Sequence, residues 1–160
     1  MDTTNTTNTT NQAGRRYLAP DRASRRILNP LMMSFIRLGV GVRGGRILHV
    51  RGRRSGEWRT VPVNPLTFDR GRYLVAPRGQ TEWVRNLRAA GEGRLQLGRR
   101  YEEFTVTEIG DADKAPVIRA YLEQWAAETQ RFFGDVTAAS TDDEIAPVAT
   151  GFPVFRIETR

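Results

Sequence analysis

The sequence predicts an α+β protein: a mostly antiparallel β-barrel or strongly curved sheet of six to seven strands, flanked by helices. Three observations carry this. Short segments of alternating apolar character come in pairs joined by glycine-containing turns, which is hairpin order and not βαβ order. Helical periodicity is confined to three stretches. The chain has 160 residues, 39% of them hydrophobic, enough for one real core.

The elements follow in order. Residues 1–14, MDTTNTTNTTNQAG, are polar and low in complexity, so a disordered tail is expected. A basic, Pro-interrupted lead-in follows, and Asn29-Pro30 reads as an N-cap and first helical residue. That N-terminal helix runs through LMMSFIRL to Gly39, with apolar residues around most of its circumference. RILHVR and WRTVPVN are strands joined by the loop GRRSGE, and LTF pairs with RYLVAP around Asp69-Arg70-Gly71. Thr81 caps a short helix, EWVRNLRAA, with Glu82 in its first turn and Gly91 and Gly93 at its end. RLQLG and YEEFTVTEI form another hairpin. A longer helix spans Asp113 to about Phe133, with Val117, Ile118, Tyr121, Leu122, Trp125 and Phe132 at helical spacing. Residues 134–150 read as a polar connector, and FPVFRIE as the closing strand. The expected organisation is thus a tail over 1–14, a basic lead-in and helix over 15–45, and a β-rich unit over 46–160 that forms one domain with the helix.

Charge is segregated along the chain. Residues 15–54 hold eleven arginines against Asp21, a net +10, and residues 55–100 carry nine arginines and four acids, a net +5. Residues 101–160 carry five basic and twelve acidic residues, a net −7. The first two thirds therefore attract anions: a small anionic ligand, a phospholipid surface or nucleic acid. Trp125, Phe132 and Phe133 lie in the acidic third, away from the arginines, which argues against a single-strand groove and any specific nucleic-acid partner. The basic flank on the apolar N-terminal helix fits a peripheral membrane contact.

Several chemistries drop out. The absence of cysteine excludes disulfides and thiolate metal sites and suits a reducing cytosol. With His49 as the only histidine, a transition-metal site is not expected, and His49 reads as a strand residue in the core or at a pocket edge. No run spans a bilayer and no signal peptide is visible, so a cytoplasmic chain is expected and the sequons at Asn5 and Asn8 stay bare. Gly39, Gly41 and Gly44 form a G-x-G-x-x-G, but a helix precedes it and a strand follows, the reverse of a dinucleotide fingerprint. There is no Walker A sequence and no Gly-x-Ser-x-Gly. Glu102 and Glu103 are adjacent on a strand and face opposite ways, so they form no carboxylate pair. Asp142, Asp143 and Glu144 read as a solvated acidic loop.

The loop GRRSG remains. A glycine-flanked turn can present successive backbone N–H groups to an anion. Arg53 and Arg54 add guanidinium forks, Ser55 a hydroxyl, and Arg59 a further cation on the next strand. A basic hairpin with no ligand accounts for the same residues, and on spacing alone both readings stay open.

Three ordered motifs narrow the choice. GRRSGEWRTVPV, then RYLVAPRG, then Trp83-x-x-Asn86-Leu-Arg-Ala resemble the deazaflavin-dependent nitroreductase family of split-β-barrel flavin/deazaflavin oxidoreductases. The resemblance extends over about residues 28–158 and includes the terminal FPVFRI. It implies coenzyme F420, an anionic hydride carrier, with FMN as the alternative. By position, Arg53, Arg54 and Ser55 would hold the phosphate. Arg59, Thr60, Val61, Pro62, Val63 and Asn64 would run beside the ring system. Val75, Ala76, Pro77, Arg78 and Gly79 would lie on the other side, and Trp83, Arg85 and Asn86 would close the site. Tyr121, Trp125, Thr129, Phe132 and Phe133 would line the substrate pocket. The implied reaction is hydride transfer from the reduced cofactor's C5 carbon to an electron-poor small molecule: a quinone, an enone or a nitro compound. No protein nucleophile is needed, since the cofactor carries the chemistry.

The chain departs from the family in two places. A nitroimidazole-reducing member has a serine where this chain has Pro77, and several tyrosines where this chain keeps only Tyr121. The more apolar pocket that follows favours a quinone or an enone. Other readings of the fold are an FMN-dependent oxidoreductase and a non-catalytic binder of an apolar or lipid ligand. Monomer and homodimer are both compatible with the sequence.

Overall fold

The computed structural model describes residues 44–160. The polar tail and the N-terminal helix fall outside the described residues. Within them the order is β1 (Arg46–Arg51), β2 (Trp58–Val63), β3 (Pro65–Phe68), β4 (Gly71–Val75), α1 (Glu82–Ala90), β5 (Glu92–Leu97), β6 (Arg100–Glu108), α2 (Lys114–Thr129), α3 (Asp142–Ala149) and β7 (Val154–Thr159). Short 3-10 turns flank α2 on both sides.

One seven-stranded sheet has the order β2-β1-β5-β6-β7-β4-β3, with every pairing antiparallel. Its topology dictates curling. β2 and β3 are the two edges of the sheet, yet only Asn64 separates them along the chain. The sheet must therefore bend until its edges meet. Pro62 and Pro65 sit on those edge strands, where a residue without an N–H costs no ladder bond. They also deny the two edges part of the donor set needed to zip together, so the barrel stays split.

Turn chemistry matches the hairpins. Asp69 and Arg70 both take positive φ, 43° and 60°, in the two-residue β3–β4 loop, as a type I′ turn requires. Gly93 answers a packing demand: a Cβ there would lie 2.9 Å from the Phe104 ring and 3.0 Å from the His49 carbonyl oxygen.

Two apolar cores lie on opposite faces. Inside the barrel, Leu48, Val50, Val63, Leu74, Ala76, Leu95, Phe104, Phe155 and Ile157 pack with Val84 and Leu87 of α1. The barrel is filled, and near the β3–β4 turn it is closed by polar groups: Arg72 pairs with Glu102, and the Thr159 hydroxyl donates to Glu102 at 2.8 Å. Outside, Leu66, Tyr73, Val75 and Val154 pack against α2 and α3 through Ile118, Tyr121, Leu122, Trp125 and Ile145.

One expectation is corrected. Residues 134–150 are not all connector, because Asp142–Ala149 is helix α3. Thr141 and Glu144 form a reciprocal capping box, and Asp142, Asp143 and Glu144, expected in a loop, occupy its first turn, where the helix dipole favours them. Asp142 also pairs with Arg119 of α2. No described helix is long and apolar enough to cross a membrane.

Candidate functional site

The loop between β1 and β2 is a compact basic turn. The Gly56 N–H donates to the Gly52 carbonyl at 2.7 Å, and the Gly52 N–H to the Glu57 carbonyl at 2.8 Å. The Glu57 N–H donates to Ser55 Oγ at 3.3 Å, and the Arg53 N–H to Asn86 Oδ1 at 3.2 Å. The N–H groups of Arg54 and Ser55 donate to nothing among the described residues, and neither does the Arg54 guanidinium. Two successive backbone donors, a guanidinium and a hydroxyl thus stand together on an exposed turn. That donor set suits a phosphate. Gly52 keeps the turn tight, since a Cβ there would stand 3.0 Å from Ser55 Oγ and 3.6 Å from Arg59 Nε.

The turn is anchored to α1. Arg53 Nη1 donates to Asn86 Oδ1 at 2.9 Å and to Glu82 Oε2 at 2.7 Å. Asn86 is buried, so its carbonyl oxygen is a fixed acceptor. Arg85 Nη1 reaches the other Glu82 oxygen at 3.2 Å. The hydrogen bond from Arg53 is the largest influence holding the Glu82 carboxyl below the ordinary glutamate range. α1 is held at its other end by Gly91, whose positive φ lets its N–H close on the Leu87 carbonyl at 2.9 Å. Arg88 pairs with Glu108 of β6.

The remaining expected residues divide by position. On edge strand β2, Arg59 is exposed and pairs with Glu57 at 3.1 Å, and Thr60 is exposed. Val61 and Pro62 are half-buried, while Val63 points into the barrel core. After β4 the chain passes Val75 in the helical core and Ala76 in the barrel core, where the Ala76 N–H donates to the Pro153 carbonyl at 2.9 Å. Pro77 is half-buried, Arg78 holds its guanidinium 5.7 Å from the Phe132 ring centre, and Gly79 turns with φ 77° into α1. Trp83 leans on Phe155 with ring centres 6.2 Å apart.

The expected pocket residues on α2 are mostly interior. Tyr121, Trp125, Thr129 and Phe133 are buried, and Phe132 is partly so. Phe133 stacks on Phe152 at 4.5 Å. Burial pushes the Tyr121 hydroxyl well above its ordinary pKa, against the opposing pull of a hydrogen bond with Asn64. Asn64, the single residue between the sheet's edges, therefore lies beside Tyr121 of α2. The Thr129 hydroxyl donates to the Trp125 carbonyl at 2.8 Å. Trp125 Nε1 is buried and has no hydrogen-bond partner among the described residues. The structure joins loop 52–57 to α1, sets Asn64 beside Tyr121, and brings Arg78 to Phe132.

A family model for F420H(2)-dependent quinone reductases matches residues 36–148, which span the loop, β1 to β6 and most of the helical layer. The chain belongs to that family. The F420H(2)-dependent reductase is an oxidoreductase and its cofactor is coenzyme F420. Among solved structures, an F420-H2 dependent reductase (FDR-A) is 20% identical, with 72% of this chain and 95% of that one covered at a TM-score of 0.48. A domain-swapped dimer is 20% identical, with 84% and 93% covered and a TM-score of 0.50. The protein Atu2129, of unknown function, from Agrobacterium tumefaciens str. C58 is 13% identical, with 89% and 57% covered and a TM-score of 0.51. The last two show a shared fold. Among curated proteins none matches the chain.

Glu82 was missed as a site residue from sequence, where only its helix-capping value was legible. Its i,i+3 spacing to Arg85 was the available signal. Also missed was a cluster on the outer face of β1, β2, β5 and β6. Trp58 lies under the guanidinium groups of Arg51 and Arg94, at 4.0 and 4.6 Å, with His49 edge-on at 6.5 Å. Trp58 opposes Arg51 directly in the β1–β2 register. Among the described residues no group of side chains could hold a metal ion.

Proposed function

We propose that this reductase binds F420 on the rim of the filled barrel and passes reducing equivalents to a quinone. The observation that carries the reading is the donor set of the turn that has no acceptor among the described residues: the Arg54 and Ser55 N–H groups beside the Arg54 guanidinium. Arg53, Arg54 and Ser55 would hold the phosphate. Residues 59–64 and 75–79 would flank the ring system, with Val63, Val75 and Ala76 acting through backbone because their side chains are buried. As an edge strand, β2 leaves alternate backbone groups outside the ladder for such contacts. Trp83 and Asn86 would close the site from α1. When bound, F420 supplies the hydride.

The chain's own part is to bind, orient and exclude water. Reacting atoms must approach within about 3–3.5 Å, so placement dominates the rate. Phe132, beside Arg78, offers an apolar aromatic wall next to a cation. That combination suits a flat, electron-poor ring with carbonyl oxygens. The family's description as quinone reductases points the same way. Pro77 offers neither N–H nor hydroxyl to a nitro group.

The test follows the oxidation of reduced F420 with a quinone, an enone and a nitroimidazole as acceptors. The quinone should turn over fastest. Rapid reduction of the nitroimidazole with a silent quinone would reverse the assignment. Arg54→Ala should weaken F420 binding about tenfold or more, through loss of a charge-assisted contact, with little change in stability.

A further inference from the structure

The turn's cations face a carboxylate of their own. Glu82 gives one oxygen to Arg53 at 2.7 Å and the other to Arg85 at 3.2 Å. The field of Arg54 falls on it as well, so one acid stands among three arginines. Its side chain is 67% exposed, which leaves the pair open to exchange with an anion from solution. Asn86 holds Arg53 Nη1 independently at 2.9 Å, so Arg53 keeps its place if the carboxylate withdraws.

We propose that Glu82 is an internal competitor for the site: its carboxylate occupies Arg53 and Arg85, and the phosphate of F420 binds by taking over those contacts. This rests on reading the turn as the phosphate site. The consequence is selectivity among anions. At Arg53 or Arg85 a small monoanion gains one guanidinium contact and must break an equivalent one, which leaves little over. The phosphate of F420 can also take the Arg54 and Ser55 N–H groups, which the Glu82 carboxylate does not engage, so it displaces the carboxylate through contacts added beyond those it takes over.

The alternative role for Glu82 is to orient Arg53 for the ligand, and the two roles predict opposite signs. The full chain is titrated with oxidised F420 at low ionic strength, following cofactor fluorescence, as wild type, Glu82→Gln, Arg53→Ala and the double variant. Glutamine keeps the length and an acceptor oxygen but removes the charge. Glu82→Gln should tighten binding about fivefold, the scale of a partly exposed ion pair. Arg53→Ala should weaken binding, and the gain from Glu82→Gln should shrink in the Arg53→Ala background. Weaker or unchanged binding in Glu82→Gln, with Arg53→Ala still impaired, overturns the competitor role and leaves the phosphate site standing. Unchanged binding in Arg53→Ala overturns both. Urea unfolding of each variant separates affinity from folding.

Discussion

Asn86 decides where Arg53 stands. Its one carbonyl oxygen accepts from both the backbone N–H and the guanidinium of Arg53, and the residue is buried in the middle of α1. Removing it strands a part-buried N–H and frees the turn. Asn86→Ala should therefore cost about 1–3 kcal/mol in urea unfolding and should weaken F420 binding as well. Lost stability with unchanged affinity would show that docking of the turn serves the fold alone. Individual site residues were only partly legible in the sequence. Arg53, Arg54 and Asn86 could be named because they stand in ordered motifs. Their mutual contact could not, because it joins positions 33 residues apart, a separation no local periodicity encodes. Tyr121 illustrates the same limit. Its helical spacing announces burial, but its place beside Asn64 arises only once the sheet's edges have been brought to α2.

At the scale of elements, hairpins and short helices were read correctly where local chemistry is strong. α1 was legible because Thr81, Glu82 and Gly91 mark its limits, although the Thr81 side chain makes no capping bond. The strands were legible through alternation: Leu48 and Val50 face the barrel while His49 and Arg51 face out. α3 escaped because its eight residues contain Pro147 and begin with consecutive acids, a composition shared with loops. Its signature was present as Thr141-Asp-Asp-Glu144, a capping box read as acidic loop. Here the cap satisfies one helix N–H and the Thr141 N–H at once. Thr141→Ala should cost about 1 kcal/mol, read as a lowered urea midpoint with unchanged slope. A change below a few tenths would mean that packing of Ile145 on α2, and not the cap, sets the stability of α3.

At the scale of the whole molecule, exclusion and charge together favour the proposed placement of the ligand. The barrel interior is occupied by side chains and closed by Arg72, Glu102 and Thr159, so a cofactor-sized ligand has to bind at the rim or the split. The rim that carries the proposed anion-binding turn belongs to residues 44–100, which hold thirteen arginines and four acids. The acids of the last third lie largely on α2 and α3 and on the loops beside them. This separation makes a long-range field that an anionic cofactor feels and a neutral quinone does not. F420 affinity should therefore fall steadily as salt rises from about 0.05 to 0.5 M, because screening shortens the reach of that field to a few ångströms. The KM for a neutral quinone, measured with F420 held saturating at each salt concentration, should stay nearly flat. A cofactor affinity indifferent to salt would assign binding to ring contacts along residues 59–64 and 75–79, and would leave the arginine-rich turn as a hairpin with no electrostatic part in binding.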